Sequence, residues 1–124
     1  MPRPKVLIAE DSATVAAMVM DILDAAGYEV IHAAEGESAL DMARREKPQV
    51  VLTDFILPLM DGIALCRALR ADPATKDVKI IMMTSLNNPK TQAAATEAGA
   101  NAFLGKPIQR EILLHAVNVV LLGM

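Results

Sequence analysis

The chain lacks the features that would place it outside the cell, in a membrane or on nucleic acid. Cys66 is the one cysteine among 124 residues, so no internal disulfide can form and a reducing cytoplasm is the expected home. No signal-peptide h-region or cleavage site opens the sequence, and its first five residues, Met-Pro-Arg-Pro-Lys, suit a natural start. The longest apolar tract, residues 112–124, is broken by His115 and Asn118 and is shorter than the roughly 20 residues that cross a bilayer. No membrane span is expected. Basic residues number 12 against 15 acidic ones, the net charge is −3, and no run of Lys or Arg exceeds Arg44-Arg45, which argues against nucleic-acid binding. Linkers and low-complexity segments are also missing, so residues 1–124 read as one domain.

Apolar residues make up 53% of the chain, ample for a core at this length. The short β-branched runs at 6–9, 50–52 and 80–83 read as strands buried on both faces. Ser12 or Thr14 can cap a first helix with Val15, Met18, Val19, Ile22 and Ala26 at helical spacing and Gly27 as its stop. Residues 28–33 read as a second strand. A helix over 38–46 turns Leu40 and Ala43 inward and stops at Lys47-Pro48. Ile63, Cys66 and Leu69 mark a third helix ending near Asp72-Pro73, Asn88-Pro89 opens a fourth that Gly99 stops, and a last helix follows a strand at 102–104 and Pro107. Five strand–helix repeats predict an α/β fold, a doubly wound parallel sheet with right-handed crossovers and helices on both faces.

Glu10, Asp11, Asp54, Thr84 and Lys106 all fall where an apolar run meets a loop. In an open parallel sheet the crevice outside the carboxyl ends of the strands is the usual ligand site, so these side chains should converge. Acidic groups with a hydroxyl and an amine in one crevice suit a metal-dependent site that accepts a phosphoryl group.

Glu10-Asp11, the stretch D-F-I-L-P-L-M-D-G from Asp54 to Gly62, Thr84-Ser85 and Lys106-Pro107 resemble, in order and interval, the response-regulator receiver domains of the CheY-like kind. The resemblance covers nearly the whole chain. It implies a flavodoxin-like sheet in the order 2-1-3-4-5. It also implies transfer of a phosphoryl group to Asp54 from a histidine kinase, a phosphotransfer protein or a small phosphodonor, with Mg2+, or Mn2+ in its place, as cofactor. It further implies a metal ligand in the backbone carbonyl of Ile56 and a cis Lys106-Pro107 bond. In such a switch Phe103 swings inward as Thr84 moves, which alters the surface of the fourth helix, fifth strand and fifth helix for a downstream protein. The ring is Phe and has no hydroxyl, so its signal would be one of packing alone. On this reading the protein is a phosphoacceptor and not an enzyme acting on an outside substrate.

The chemistry of the residues agrees. A carboxylate attacks an anionic phosphoryl group only if a cation lies between them. Asp11 and Asp54 offer hard oxygen ligands, and Glu10 can act through a coordinated water. Two such carboxylates about 4 Å apart repel by roughly 4 kcal/mol at an effective dielectric of about 20, so the group should welcome a divalent cation and hold it less well in acid. Lys106 can take one phosphoryl oxygen and the Thr84 hydroxyl another. Ile56 and Leu86, each two residues past a site residue, would overhang the phosphate, hinder water and lengthen the phosphoryl lifetime.

Other readings compete. Glu10-Asp11 also suits the first turn of a helix, Phe103 a core ring, and His32 and His115, without ligand-spaced partners, ordinary positions. The Gly99 to Lys106 interval is one residue too long for a phosphate-binding Walker loop, and Pro107 stands where Ser or Thr is needed. A phosphate-independent binding module is disfavoured by the intact set of polar residues, and a magnesium phosphohydrolase by Ile56, where a second acid is expected. The last helix is apolar on nearly every side, which suggests a homodimer, a partner surface or a missing continuation of the chain, with the partner surface slightly favoured.

Overall fold

A computed structural model describes residues 3–123; Met1, Pro2 and Met124, at the ends of the expected 1–124 domain, lie outside them. Five strands, β1 (Lys5–Ala9), β2 (Glu29–Ala33), β3 (Val50–Asp54), β4 (Lys79–Thr84) and β5 (Ala102–Gly105), alternate with five helices. The helices are α1 (Ala13–Ala25), α2 (Gly36–Glu46), α3 (Gly62–Ala71), α4 (Pro89–Ala98) and α5 (Arg110–Leu121). All neighbouring strands are parallel, in the order β2-β1-β3-β4-β5.

Alternation along the strands builds two cores. Leu7, Val51, Ile80 and Met82 meet Leu40, Leu65, Leu69 and Ala95 on the face covered by α2, α3 and α4. Val6, Ile8, Leu52, Ile81 and Met83 meet Val19, Leu23, Leu113 and Val117 on the face covered by α1 and α5. The three central strands are therefore buried on both sides, which is why they read as unbroken apolar runs.

The helices begin and end where local chemistry dictates. The Ser12 hydroxyl accepts from Val15 N at 3.3 Å and caps α1, while Asn88 accepts from Thr91 N at 2.9 Å with Pro89 in the first turn of α4. Gly99 closes α4 at φ +110°, a conformation that costs glycine least. The inward stripe of α1 differs in phase from the sequence reading. Ala16, Val19 and Leu23 are fully buried and Val15 and Ile22 only partly, whereas Met18 is 40% exposed and Ala26 lies past the last turn. At about 100° per residue, a buried stripe through Ala16, Val19 and Leu23 leaves Met18 on the other side of the helix. The fold also starts α2 two residues before the expected Ser38, at Gly36. In α5, Leu113, Val117 and Val120 face the sheet and Leu114, Ala116 and Leu121 pack at their edges, so Ile112 on the helix and Leu122 just past its end are the strongly exposed large apolar residues there. No helix among the described residues is long and apolar enough to cross a membrane.

Candidate functional site

The parallel register brings Glu10 and Asp11, just past β1, Asp54 at the end of β3, Thr84 at the end of β4 and Lys106, just past β5, to one end of the sheet. One carboxylate oxygen from each of Glu10, Asp11 and Asp54 lies within 4.8 Å of the others. The Lys106 ammonium reaches into the group, 2.7 Å from Glu10 Oε1 and 2.6 Å from Asp54 Oδ2. The other oxygens are also held, because Glu10 Oε2 accepts from Ser12 N at 3.0 Å and Asp54 Oδ1 from Ile56 N at 3.3 Å.

The loop after Asp54 depends on a glycine. A Cβ at Gly62 would stand 2.3 Å from the Asp54 carbonyl oxygen, so α3 can start beneath Asp54 only without a side chain there. On the far side Lys106 N donates to Thr84 O at 2.8 Å and carries the β4–β5 pairing into the site. The Lys106-Pro107 peptide is cis.

Burial governs the electrostatics. Glu10 is 1% exposed, and desolvation pushes its carboxyl above the usual carboxylate range although the hydrogen bonds from Lys106 and Ser12 pull the other way. Desolvation lowers the Lys106 ammonium, but its bonds to Asp54 and Glu10 outweigh that and hold it above the ordinary lysine value. Two of the three acids, Glu10 and Asp54, thus share one partly buried cation. The oxygens are hard donors, one from each acid, close enough together that a single small divalent cation could be held by all three. The donor set fits Mg2+ or Mn2+.

Thr84 is buried but joined to none of the acids by a hydrogen bond; its hydroxyl accepts from Leu86 N at 2.9 Å, within its own loop. Phe103 is half-buried at the edge of the α2/α3/α4-side core and lines a cleft of about 680 Å³ with Pro89, Gln92, Ala93 and Thr96 of α4. Ile56 and Leu86 are both exposed. His32, an ordinary position by its sequence, stands beside the site. Its Nε2 lies 2.8 Å from the Glu10 carbonyl oxygen, and the β1–β2 register, Ile8 opposite His32, is what places it there.

Residues 6–118 match the family model of the response regulator receiver domain. Protein PilH of Pseudomonas aeruginosa is 33% identical, over 96% of this chain and 98% of PilH. The chain spans about half the length of another relative, the probable transcriptional regulator ycf27 of Porphyridium aerugineum, which is 35% identical over 98% of this chain and 49% of the relative. Among solved structures, a putative response regulator from Chloroflexus aurantiacus superimposes with a TM-score of 0.93 at 39% identity, covering 98% of each chain. The receiver domain of sensor histidine kinase PA1611 from Pseudomonas aeruginosa, solved with a magnesium ion in its active-site cleft, does so at 0.85 and 29% identity, covering 92% of this chain and 93% of that one. With its five-stranded 2-1-3-4-5 sheet and its acids, hydroxyl and lysine gathered at one end, this chain belongs to the response-regulator receiver domain family of two-component signalling.

Proposed function

We propose that Asp54 is the phosphoacceptor of a magnesium-dependent switch formed by residues 1–124. The observation that carries this reading is the Lys106 ammonium bridging Glu10 and Asp54 within a trio of acids that spans 4.8 Å. An Asp54 oxygen attacks phosphorus as the bond to the donor's nitrogen or oxygen breaks, and the bonding pair leaves with the donor. Glu10, Asp11, Asp54 and the Ile56 carbonyl would hold Mg2+ or Mn2+, which when bound supplies the positive charge that lets two anions meet. Lys106 moves from the carboxylate to a phosphoryl oxygen and spreads the new charge. Hydrolysis by water resets the site, and no outside substrate is turned over.

The Thr84 hydroxyl gives the switch its second state. To reach a phosphoryl oxygen it leaves the Leu86 amide, the β4–α4 loop draws inward, and Phe103 follows into the vacated space. The changed face of α4, β5 and α5 would then select a downstream protein. A histidine kinase or phosphotransfer protein supplies the phosphoryl group, approaching over the apolar hollow of about 330 Å³ formed by Val15, Met18, Ser85, Lys106, Pro107 and Ile108. Ile112 on α5 and Leu122 just past its end suit a homodimer contact, testable by light scattering across concentration. Neither nucleic acid nor membrane is a partner, and the setting is cytoplasmic.

Intact-mass measurement after incubation with acetyl phosphate tests the acceptor. One added phosphoryl group, present with Mg2+ in the parent and absent from Asp54→Asn or without metal, is the expected result. A phosphorylated Asp54→Asn overturns the assignment.

A further inference from the structure

Glu10 and Asp11 sit on either side of one peptide bond, and β2 holds the backbone at Glu10 on both sides of its Cα. On the preceding peptide the Glu10 N–H donates to Ala33 O at 3.0 Å, which extends the β1–β2 ladder by one step. The peptide between the two acids is held by a side chain. His32 Nε2 lies 2.8 Å from the Glu10 carbonyl oxygen; a carbonyl can only accept, so Nε2 carries the proton and the imidazole donates.

The position of that bond matters because a peptide unit is planar. The Glu10 carbonyl, the Asp11 N–H and both flanking Cα atoms share one plane. Holding the oxygen therefore fixes ψ of Glu10 and φ of Asp11 together, and with them the directions in which the two side chains leave the backbone. The two acids of the trio that come from one strand end thus share one peptide unit, and His32 holds it. His32 is half-buried on β2 and touches the backbone between the acids, not their carboxylates.

We propose that His32 is a positioning residue for the metal site: its Nε2–H locks the Glu10-Asp11 peptide so that both carboxylates are preset for a divalent cation. The proposal rests on the reading of this site as a magnesium site. Preorganisation of this kind raises affinity because the acids need not be ordered when the ion arrives. A merely structural histidine would contribute to folding and leave the affinity alone.

The test is calorimetric titration of Mg2+ into parent, His32→Phe and His32→Gln, with urea unfolding of each in metal-free buffer. Phe keeps a ring without the donor, and Gln keeps an N–H at similar reach. The expected result is Mg2+ affinity about 10-fold weaker in His32→Phe and largely restored in His32→Gln, at a concentration of folded protein that unfolding shows to be unchanged. Parent-like affinity in His32→Phe, whatever its stability, overturns the proposal. So does equal weakening in both variants, which would assign the effect to ring shape. If the parent itself takes up no Mg2+, the magnesium reading fails first, a result distinct from either of these.

Discussion

Replacing Lys106 with Met removes the cation that bridges Glu10 and Asp54 while keeping most of the side-chain volume. Its Nζ makes two short charge-assisted hydrogen bonds, 2.7 Å to Glu10 and 2.6 Å to Asp54. Removing one partner of a buried ion pair costs about 3–5 kcal/mol. The Lys106 side chain keeps 19% of its exposure, so the lower end applies, and metal-free Lys106→Met should lose about 3 kcal/mol at pH 7. Saturating Mg2+ returns a countercharge to the same acids, and the loss should shrink to about 1 kcal/mol. By linkage the difference, about 2 kcal/mol, means the variant binds Mg2+ roughly 30-fold more tightly than the parent. The pH dependence follows from the directions of the two shifts. Glu10 has a raised carboxyl, so its protonated form favours the fold, an advantage complete below about 4.5 and lost as pH rises through the raised value. Removing Lys106, which pulls that carboxyl down, lets Glu10 take its proton at still higher pH, so the loss should be smaller at pH 5 than at pH 7. Lys106 in the parent is raised above 10.5, so its contribution holds through neutral pH and fades only beyond the ordinary lysine range. Because the chain has no tryptophan, urea curves followed by circular dichroism, with and without Mg2+ at pH 5 and 7, make the measurement. An equal loss in all four conditions would refute the view that Lys106 serves as countercharge to the acids.

The loop that holds Asp54 offers three further tests. Leu59 is 89% exposed at φ +69°, the centre of a three-residue turn closed by Met60 N to Pro58 O at 2.7 Å. That conformation costs a leucine about 1–2 kcal/mol, against roughly 0.5–1 kcal/mol of extra chain entropy for glycine, so Leu59→Gly should raise the thermal midpoint by about 3 °C; a lower midpoint counts against the strain. Gly62→Ala should cost about 2–3 kcal/mol by overpacking, because its Cβ meets backbone at 2.3 Å, and should slow acetyl phosphate labelling of Asp54 about 10-fold or more; labelling at the parent rate would show that the Asp54 backbone does not move. If the exposed Ile56 side chain shields the phosphoryl group from water, Ile56→Asn should lose its label several times faster than the parent. An unchanged or slower decay, followed by mass spectrometry, removes Ile56 from the account of lifetime.

Local residue choices set the alternation of strands and helices, and they put five polar residues at the ends of apolar runs. The β-branched runs, cap residues and Gly-Pro stops depend on neighbours close in the chain, and these local forces agree with the fold: the Ser12 and Asn88 caps and the Gly99 stop lie where the residues placed them. Glu10, Asp11, Asp54, Thr84 and Lys106 were legible because each ends a run, and a parallel sheet puts all such ends on one side. The tertiary structure alone decided the rest. The face that α1 turns inward, Ala16, Val19 and Leu23, depends on what packs against the helix, and periodicity over Val15, Met18 and Val19 could not supply that. The bonding of Lys106 to both Glu10 and Asp54, of Thr84 to its own loop, and of His32 to the Glu10 carbonyl joins residues as many as 96 positions apart. Such contacts depend on strand register and on the desolvation of particular atoms. Those quantities exist only once the chain has closed on itself, which is why a histidine that looked ordinary in the sequence stands beside the acids in the fold.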